Sequence, residues 1–242
     1  MKAMIFAAGL GTRLKPLTDN KPKALVEING KTLLELAIQK LVNQGFNDII
    51  INVHHFSEMI KEFLLAKNNF NLNIQISDET DQLLDTGGGL KHASWFFDDG
   101  KPFLVYNVDI FTSLDLQKLY HQHISSKALA TLAVRNRKTS RYFLFDNNLR
   151  LHGWENISSG EKKLITDQKE NLKRLAFSGI QVLNPEIFKW INQTGKFSIV
   201  DVYLNLLSNH LIMGFDHSDT TWLDVGRPEN IALAEKIISK NS

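Results

Sequence analysis

Residues 3–14 read AMIFAAGLGTRL: six apolar residues, then Gly9 and Gly11 one residue apart, then Arg13. A short, unbroken apolar run ending in glycine suits a strand buried on both faces. Glycines at its end let backbone N–H groups face an anion with no side chain in the way. Lys23 follows one loop later, in KPK (Lys21–Lys23), and adds positive charge beside Arg13. The stretch predicts a buried strand running into a loop shaped for a negatively charged ligand.

The pattern continues outward from that strand. KTLLELAIQKLVNQGF places Leu34, Ala37, Ile38 and Leu41 at helical spacing, with Thr32 and Glu35 as a capping box and Gly45 as a stop. DIIINVHH (Asp48–His55) reads as a second buried strand, SEMIKEFLLAK as a helix capped by Ser57, and LNIQISDE (Leu72–Glu79) as a third strand. GGLKHASWFF gives a helix and PFLVYNVD (Pro102–Asp109) a fourth strand. Strands alternating with helices imply βαβ units, a parallel sheet, and ligands at the carboxyl ends of its strands. Gly9, Asp78 and Asp109 are expected at that edge.

Beyond Leu114 the pattern is mixed. ALATLAVRN reads as a strand, and RYFLFDNNLRLHGW as a hairpin turning at Asn147 and Asn148. Asn156 to Lys173 is polar and reads as a loop or short turns. AFSGIQVL (Ala176–Leu183) is a strand, PEIFKWI and SIVDVYLNLLSNH are helices, LIMGFDH and TTWLDV look like a closing strand pair, and PENIALAEKIISK is a last helix. The expectation is one α/β domain over residues 1–242. It has a Rossmann-like mixed, mainly parallel sheet flanked by helices, divided into halves at 1–113 and 114–242.

Of 242 residues 43% are hydrophobic, enough for a sizeable core, and the formal net charge of +2 gives no push toward nucleic acid or a membrane surface. The absence of cysteine excludes a disulfide scaffold and a thiolate metal site. AMIFAA is too short for a signal peptide, and no apolar run approaches the roughly 18 residues that span a bilayer. A cytoplasmic protein with small-molecule partners, and no nucleic-acid or membrane partner, is expected. The eight histidines form no metal set; His54–His55 falls at a strand end, and His121 and His123 on a helix expected to be exposed. Asp109 and Asp224 each end an apolar run beside the glycine loop, and such a pair suits a hard cation.

The stretch GLGTRLKPLTDNKPKALVEI resembles the signature of the sugar-phosphate nucleotidyltransferases. Gly9, Gly11, Thr12, Arg13, Leu14, Pro16, Leu17, Thr18, Lys21, Pro22, Lys23 and Leu25 are in register with it. DTGGGL (Asp85–Leu90) resembles the base-binding segment of the branch with N-acetylmuramate-1-phosphate uridylyltransferase and mannose-1-phosphate guanylyltransferase-like proteins. YNVDIFTS, AFSGIQVLNPEIF and WLDVGRPENI resemble the family's metal segment, sugar strand and ending.

The resemblance implies an enzyme that joins a nucleoside triphosphate to a sugar-1-phosphate and releases pyrophosphate. UTP with N-acetylmuramate-1-phosphate leads. GTP with mannose-1-phosphate, CTP with a phosphoalcohol such as phosphocholine, or a non-catalytic nucleotide-sugar regulator are the alternatives. It implies that Arg13 and Lys23 are catalytic, and that Ala8, Gly9, Gly11, Thr12, Thr86, Gly87 and Gly88 also bind nucleotide. Asn107, Ser178, Gly179 and Trp222 would bind the sugar, and Asp109 and Asp224 would hold Mg²⁺. A monomer or small homo-oligomer is expected. Two features depart from the family. Val108 stands where glycine is usual, and no Glu-Lys-Pro segment is found to hold the sugar phosphate, leaving Lys162, Lys163 or Lys169 as substitutes.

Overall fold

In a computed structural model of the protein, residues 1–165 and 172–241 are described. The first strands and helices in chain order are β1 (Lys2–Phe6), β2 (Glu27–Ile28), β3 (Lys31–Thr32), α1 (Leu33–Val42), β4 (Asp48–Val53), α2 (Ser57–Ala66) and β5 (Asn73–Asp78). Next come α3 (Asp85–His92), β6 (Phe103–Asn107), β7 (Ile110–Thr112), α4 (Leu116–Ser126), β8 (Ala130–Arg135), β9 (Arg141–Phe145), β10 (Leu151–Asn156) and β11 (Glu161–Leu164). The last are β12 (Lys173–Leu183), α5 (Ile199–Leu206), β13 (Ile212–Asp216), β14 (Trp222–Asp224) and α6 (Pro228–Asn241). The fold is mixed α/β, as the alternating pattern predicts. The chain forms two compact units, the first from Met1–Leu83, Val105–Leu114 and Thr221–Ser242, the second from Leu84–Leu104 and Asp115–Thr220.

The first unit is built on parallel strands. β1 pairs with β4 from Lys2↔Asp48 to Phe6↔Asn52, and β4 with β5 from Asp48↔Asn73 to Val53↔Asp78. Ala3, Met4, Ile5, Ile49, Ile50 and Ile51 are wholly buried, which explains the unbroken apolar runs. Thr32 caps α1 by accepting from the Glu35 amide (3.1 Å), and Gly45, at φ +80°, ends it. α2 starts differently from expectation. Phe56, in the left-handed conformation, precedes it, and Ser57 lies within the first turn, its hydroxyl 3.1 Å from the Thr80 hydroxyl.

In the second unit β12 pairs antiparallel with β8 and β9, and β9 and β10 form the expected hairpin. Asp146 holds its turn by accepting from the Asn148 and Arg150 amides, 2.9 Å each. Part of the polar run expected to be a loop is a strand instead, since β11 pairs with β10. Residues 166–171, Lys169 among them, lie outside the described residues. The closing pair is also corrected: β13 runs parallel to β8, whereas β14 pairs antiparallel with β7. His123 is not exposed. It is buried on the inner face of α4, with Nδ1 2.9 Å from Thr131 Oγ1, and burial lowers its pKa to about 4.

Candidate active site

The pairing of β14 with β7 sets Asp224 opposite Ile110, next to Asp109. The Val225 amide donates to the Asp109 carbonyl (2.9 Å), which locks the two turns together. Asp109 therefore does not end a strand as expected; it sits in the tight turn between β6 and β7. Val108 in that turn is buried, with its amide donating to the Phe6 carbonyl (3.1 Å). The β-branched side chain is accommodated in the core.

The loop after β1 brings its two cations to these carboxylates. Lys23 Nζ donates to Asp109 Oδ2, and Arg13 Nη1 donates to Asp224 Oδ2 at 3.3 Å. Gly11, at φ +67°, shapes the loop: a Cβ there would lie 3.0 Å from Thr18 Cγ2 and 3.1 Å from Lys23 Cβ. The buried Thr18 donates its hydroxyl to the Gly11 carbonyl (2.9 Å). Gly9 differs, because a Cβ built on it meets nothing within 4 Å. Thr12 lies exposed in the same loop and Ala8 is buried at its start.

Burial, then the charge of Asp224, raises the Asp109 pKa, and Lys23 works against both. Asp224 moves the other way. Burial alone would raise it, but the Gly226 amide (2.9 Å) and the charges of Arg13 and Lys23 lower it. Gly226 is the packing centre of this group: a Cβ there would fall 2.8 Å from Asp224 Oδ1, 2.9 Å from Arg13 Nη2 and 3.0 Å from Asp109 Oδ2. Asn230 adds a bond from Nδ2 to the Asp224 carbonyl (2.7 Å). Sequence reading singled out neither residue; the glycine in WLDVGRPENI was the available signal.

The other expected residues are placed as follows. Asn107 ends β6 half-buried, and Trp222 opens β14 opposite Thr112. Asp78 is drawn aside by Lys61 (2.8 Å) and Thr80, and its pKa falls to about 2, burial being outweighed by those hydrogen bonds. In the second unit, Gly87, Gly88 and Gly89 are buried inside α3, which starts three residues before the helix expected from GGLKHASWFF. The Gly87 and Gly88 amides both donate to the Phe197 carbonyl (2.9 and 3.3 Å), and Thr86 Oγ1 accepts from the Ile199 amide (3.1 Å). Ser178 and Gly179 are buried in β12. Among the substitutes for a sugar-phosphate lysine, Lys163 is shared by Glu161 and Asp201, 3.4 Å each, and Lys162 is exposed.

A glycine loop with two cations facing two carboxylates is the arrangement by which phosphoryl groups are held and transferred. The family model for nucleotidyl transferases matches residues 2–241. The chain belongs to that family. N-acetylmuramate alpha-1-phosphate uridylyltransferase of Caulobacter vibrioides is 30% identical over 96% of this chain and 95% of its own. The enzyme of that name from Neisseria meningitidis serogroup B is 30% identical over 93% of each chain. Among solved structures, a putative glucose-1-phosphate thymidylyltransferase from Bacillus anthracis, in complex with a sucrose, shares the fold. Its TM-score is 0.81 at 20% identity, over 98% of this chain and 94% of that one. This nucleotidyltransferase is thus an enzyme of the sugar-1-phosphate type. No helix among the described residues is long and apolar enough to cross a membrane.

Proposed function

We propose that the enzyme transfers a uridylyl group from UTP to N-acetylmuramate-1-phosphate, with Mg²⁺ held by Asp109 and Asp224. The observation that carries the reading is the assembly of Arg13, Asp109 and Asp224 around Gly226, with Lys23 paired to Asp109. The choice of base and sugar draws on the two uridylyltransferases, each 30% identical and matched over almost their whole length.

Two carboxylates fit magnesium, which takes one or two of them and completes its shell with phosphate oxygens and water. No larger acidic or histidine cluster exists among the described residues. Carboxylate oxygens of both aspartates lie within 3.0 Å of one point, the Cβ position of Gly226. A bound magnesium ion would supply charge neutralisation at the phosphates.

The chain's own residues do the rest. Arg13 is half exposed and reaches the β- and γ-phosphates with the loop amides. Gly9 is neither packed nor in the left-handed region, so what favours glycine there is a ligand close to its backbone. Lys23 holds the α-phosphate and steadies the charge that builds as a sugar-phosphate oxygen bonds to the α-phosphorus. The bond from that phosphorus to the bridging oxygen breaks, and pyrophosphate leaves with its electrons. The attacking oxygen is already an anion, so no general base is needed, and positioning supplies much of the rate. With the Gly87 and Gly88 amides engaged by Phe197, these two glycines offer the base no backbone donor. Asn107 and Trp222 contact the sugar.

Pyrophosphate release is measured across nucleoside triphosphates and sugar-1-phosphates, plus phosphocholine, with and without Mg²⁺. Release with UTP and N-acetylmuramate-1-phosphate, dependent on Mg²⁺ and lost in Asp109→Asn, is the expected result. Release only with GTP and mannose-1-phosphate would replace the substrates. Nucleotide binding without turnover would point to a regulator.

A further inference from the structure

Between Phe177 and Gln181, strand β12 leaves regular register. Phe177 pairs with Val134 and Gln181 with Leu132, so Ser178, Gly179 and Ile180 together oppose Ala133 alone. Gly179 occupies the left-handed region at φ +76°. Bulges of this kind bend a strand and re-aim its residues, and they are common beside active sites.

Side chains clamp the bulge from two directions. Arg137 Nη2 donates to the Phe177 carbonyl (3.0 Å). His217, just past the end of β13, reaches across β8 and places Nε2 2.6 Å from Ser178 Oγ. Ser178 and His217 are almost fully buried, and burial, then Arg135, lowers the His217 pKa to about 4.

The neighbouring bonds fix the tautomer. Thr220 has one hydroxyl proton and donates it to the His217 carbonyl (3.0 Å). Thr220 Oγ1 can therefore only accept from His217 Nδ1, 2.7 Å away. Nδ1 carries the proton, and Nε2 accepts from the Ser178 hydroxyl. Arg135 secures the same turn through the Thr220 and Ser218 carbonyls, 3.3 and 3.4 Å.

We infer that His217 is a positioning residue for the sugar-1-phosphate: through Ser178 it sets the shape of the Phe177–Ile180 bulge against which the sugar lies. This rests on the reading of Ser178–Gly179 as sugar-binding. It changes the part of Ser178, whose hydroxyl is turned to His217 and shapes the strand, leaving the backbone at Gly179 to meet the sugar.

KM for the sugar-1-phosphate and for the triphosphate is measured in His217→Leu, His217→Gln and Ser178→Ala. His217→Leu and Ser178→Ala are expected to raise the sugar KM about tenfold and leave the triphosphate KM within about twofold. Gln keeps an acceptor for Ser178 and should restore most of the sugar KM. Ser178→Ala removes one buried oxygen and keeps the test alive if His217→Leu does not fold. An unchanged sugar KM in Ser178→Ala, or both KM values rising in parallel, overturns the inference. If the wild type turns over no acceptor, calorimetric titration with N-acetylmuramate-1-phosphate and mannose-1-phosphate decides. Binding to the wild type weakened in Ser178→Ala supports the clamp without the reaction, equal binding refutes the clamp alone, and no binding at all refutes both.

Discussion

Lys23 and Asp109, 86 residues apart in the chain, meet as an ion pair whose side chains are only 13% and 12% exposed. The ammonium works against the burial and the neighbouring charge of Asp224 that push the Asp109 pKa up. Removing it leaves two carboxylates facing each other with Arg13 alone to offset them. Lys23→Met should lower kcat/KM by about 10²–10³-fold, the scale of losing one aligned charge at a phosphoryl group. It should also cost about 1–3 kcal/mol of stability, because a shielded carboxylate loses its partner. Steady-state kinetics and urea titration read the two effects. Activity within threefold of wild type would remove Lys23 from the chemistry.

Gly226 makes a sharper test, since it carries no charge. A methyl group there would press on Asp224 Oδ1, Arg13 Nη2 and Asp109 Oδ2 at once. All three are side-chain atoms, so the fold can yield while the charged group is spread apart. Gly226→Ala should lose about 10²-fold in kcat/KM, with stability changed by under about 1 kcal/mol. Kinetics close to wild type would mean that the spacing of the two carboxylates does not matter.

For the DTGGGL glycines the structure supplies a packing reason. A Cβ at Gly87 would lie 2.5 Å from Phe197 Cδ2 and 2.9 Å from the Phe197 carbonyl oxygen. Alanine would gain about 1 kcal/mol of helix propensity, but overpacking of this kind costs about 1–3 kcal/mol or more. Gly87→Ala should be destabilised on balance. Adding Phe197→Leu should restore only part of the loss, because the ring can be trimmed and the carbonyl cannot. A Gly87→Ala protein as stable as wild type would return these glycines to a role in ligand contact alone.

The parallel strands of the first unit were readable because strands buried on both faces must be apolar throughout, and Ala3–Ile5 and Ile49–Ile51 are. The glycine loop was readable because few loops need Gly-x-Gly followed by Arg and Lys. What local pattern does not carry is which distant segments pair. TTWLDV was expected beside LIMGFDH, its sequence neighbour, yet β14 pairs with β7, some 110 residues earlier, and β13 pairs with β8. That pairing is what brings Asp224 to Asp109. The helix in GGLKHASWFF was readable, but the packing of Gly87 and Gly88 against Phe197 was not, since no local pattern carries that approach. His123 was expected to be exposed and His217 was not singled out, because a lone histidine carries no sign of the threonine that will receive it.

Those two histidines set the pH dependence of stability. Burial holds both at a pKa of about 4, against 6.5 for the free side chain. Between about pH 6.5 and pH 4 the unfolded chain takes up protons that the folded chain refuses, so stability falls as the pH is lowered through this window. Above about pH 7 both states are neutral at these sites, and they contribute no slope. By pH 5, still above the usual carboxylate range, each histidine should have cost about 1–2 kcal/mol relative to pH 7. Urea midpoints at pH 7, 6 and 5 measure the fall, and His123→Asn and His217→Gln should each flatten it by its own share. A fall as steep in His123→Asn and His217→Gln as in the wild type would mean that both imidazoles take up protons in the folded state as readily as in water.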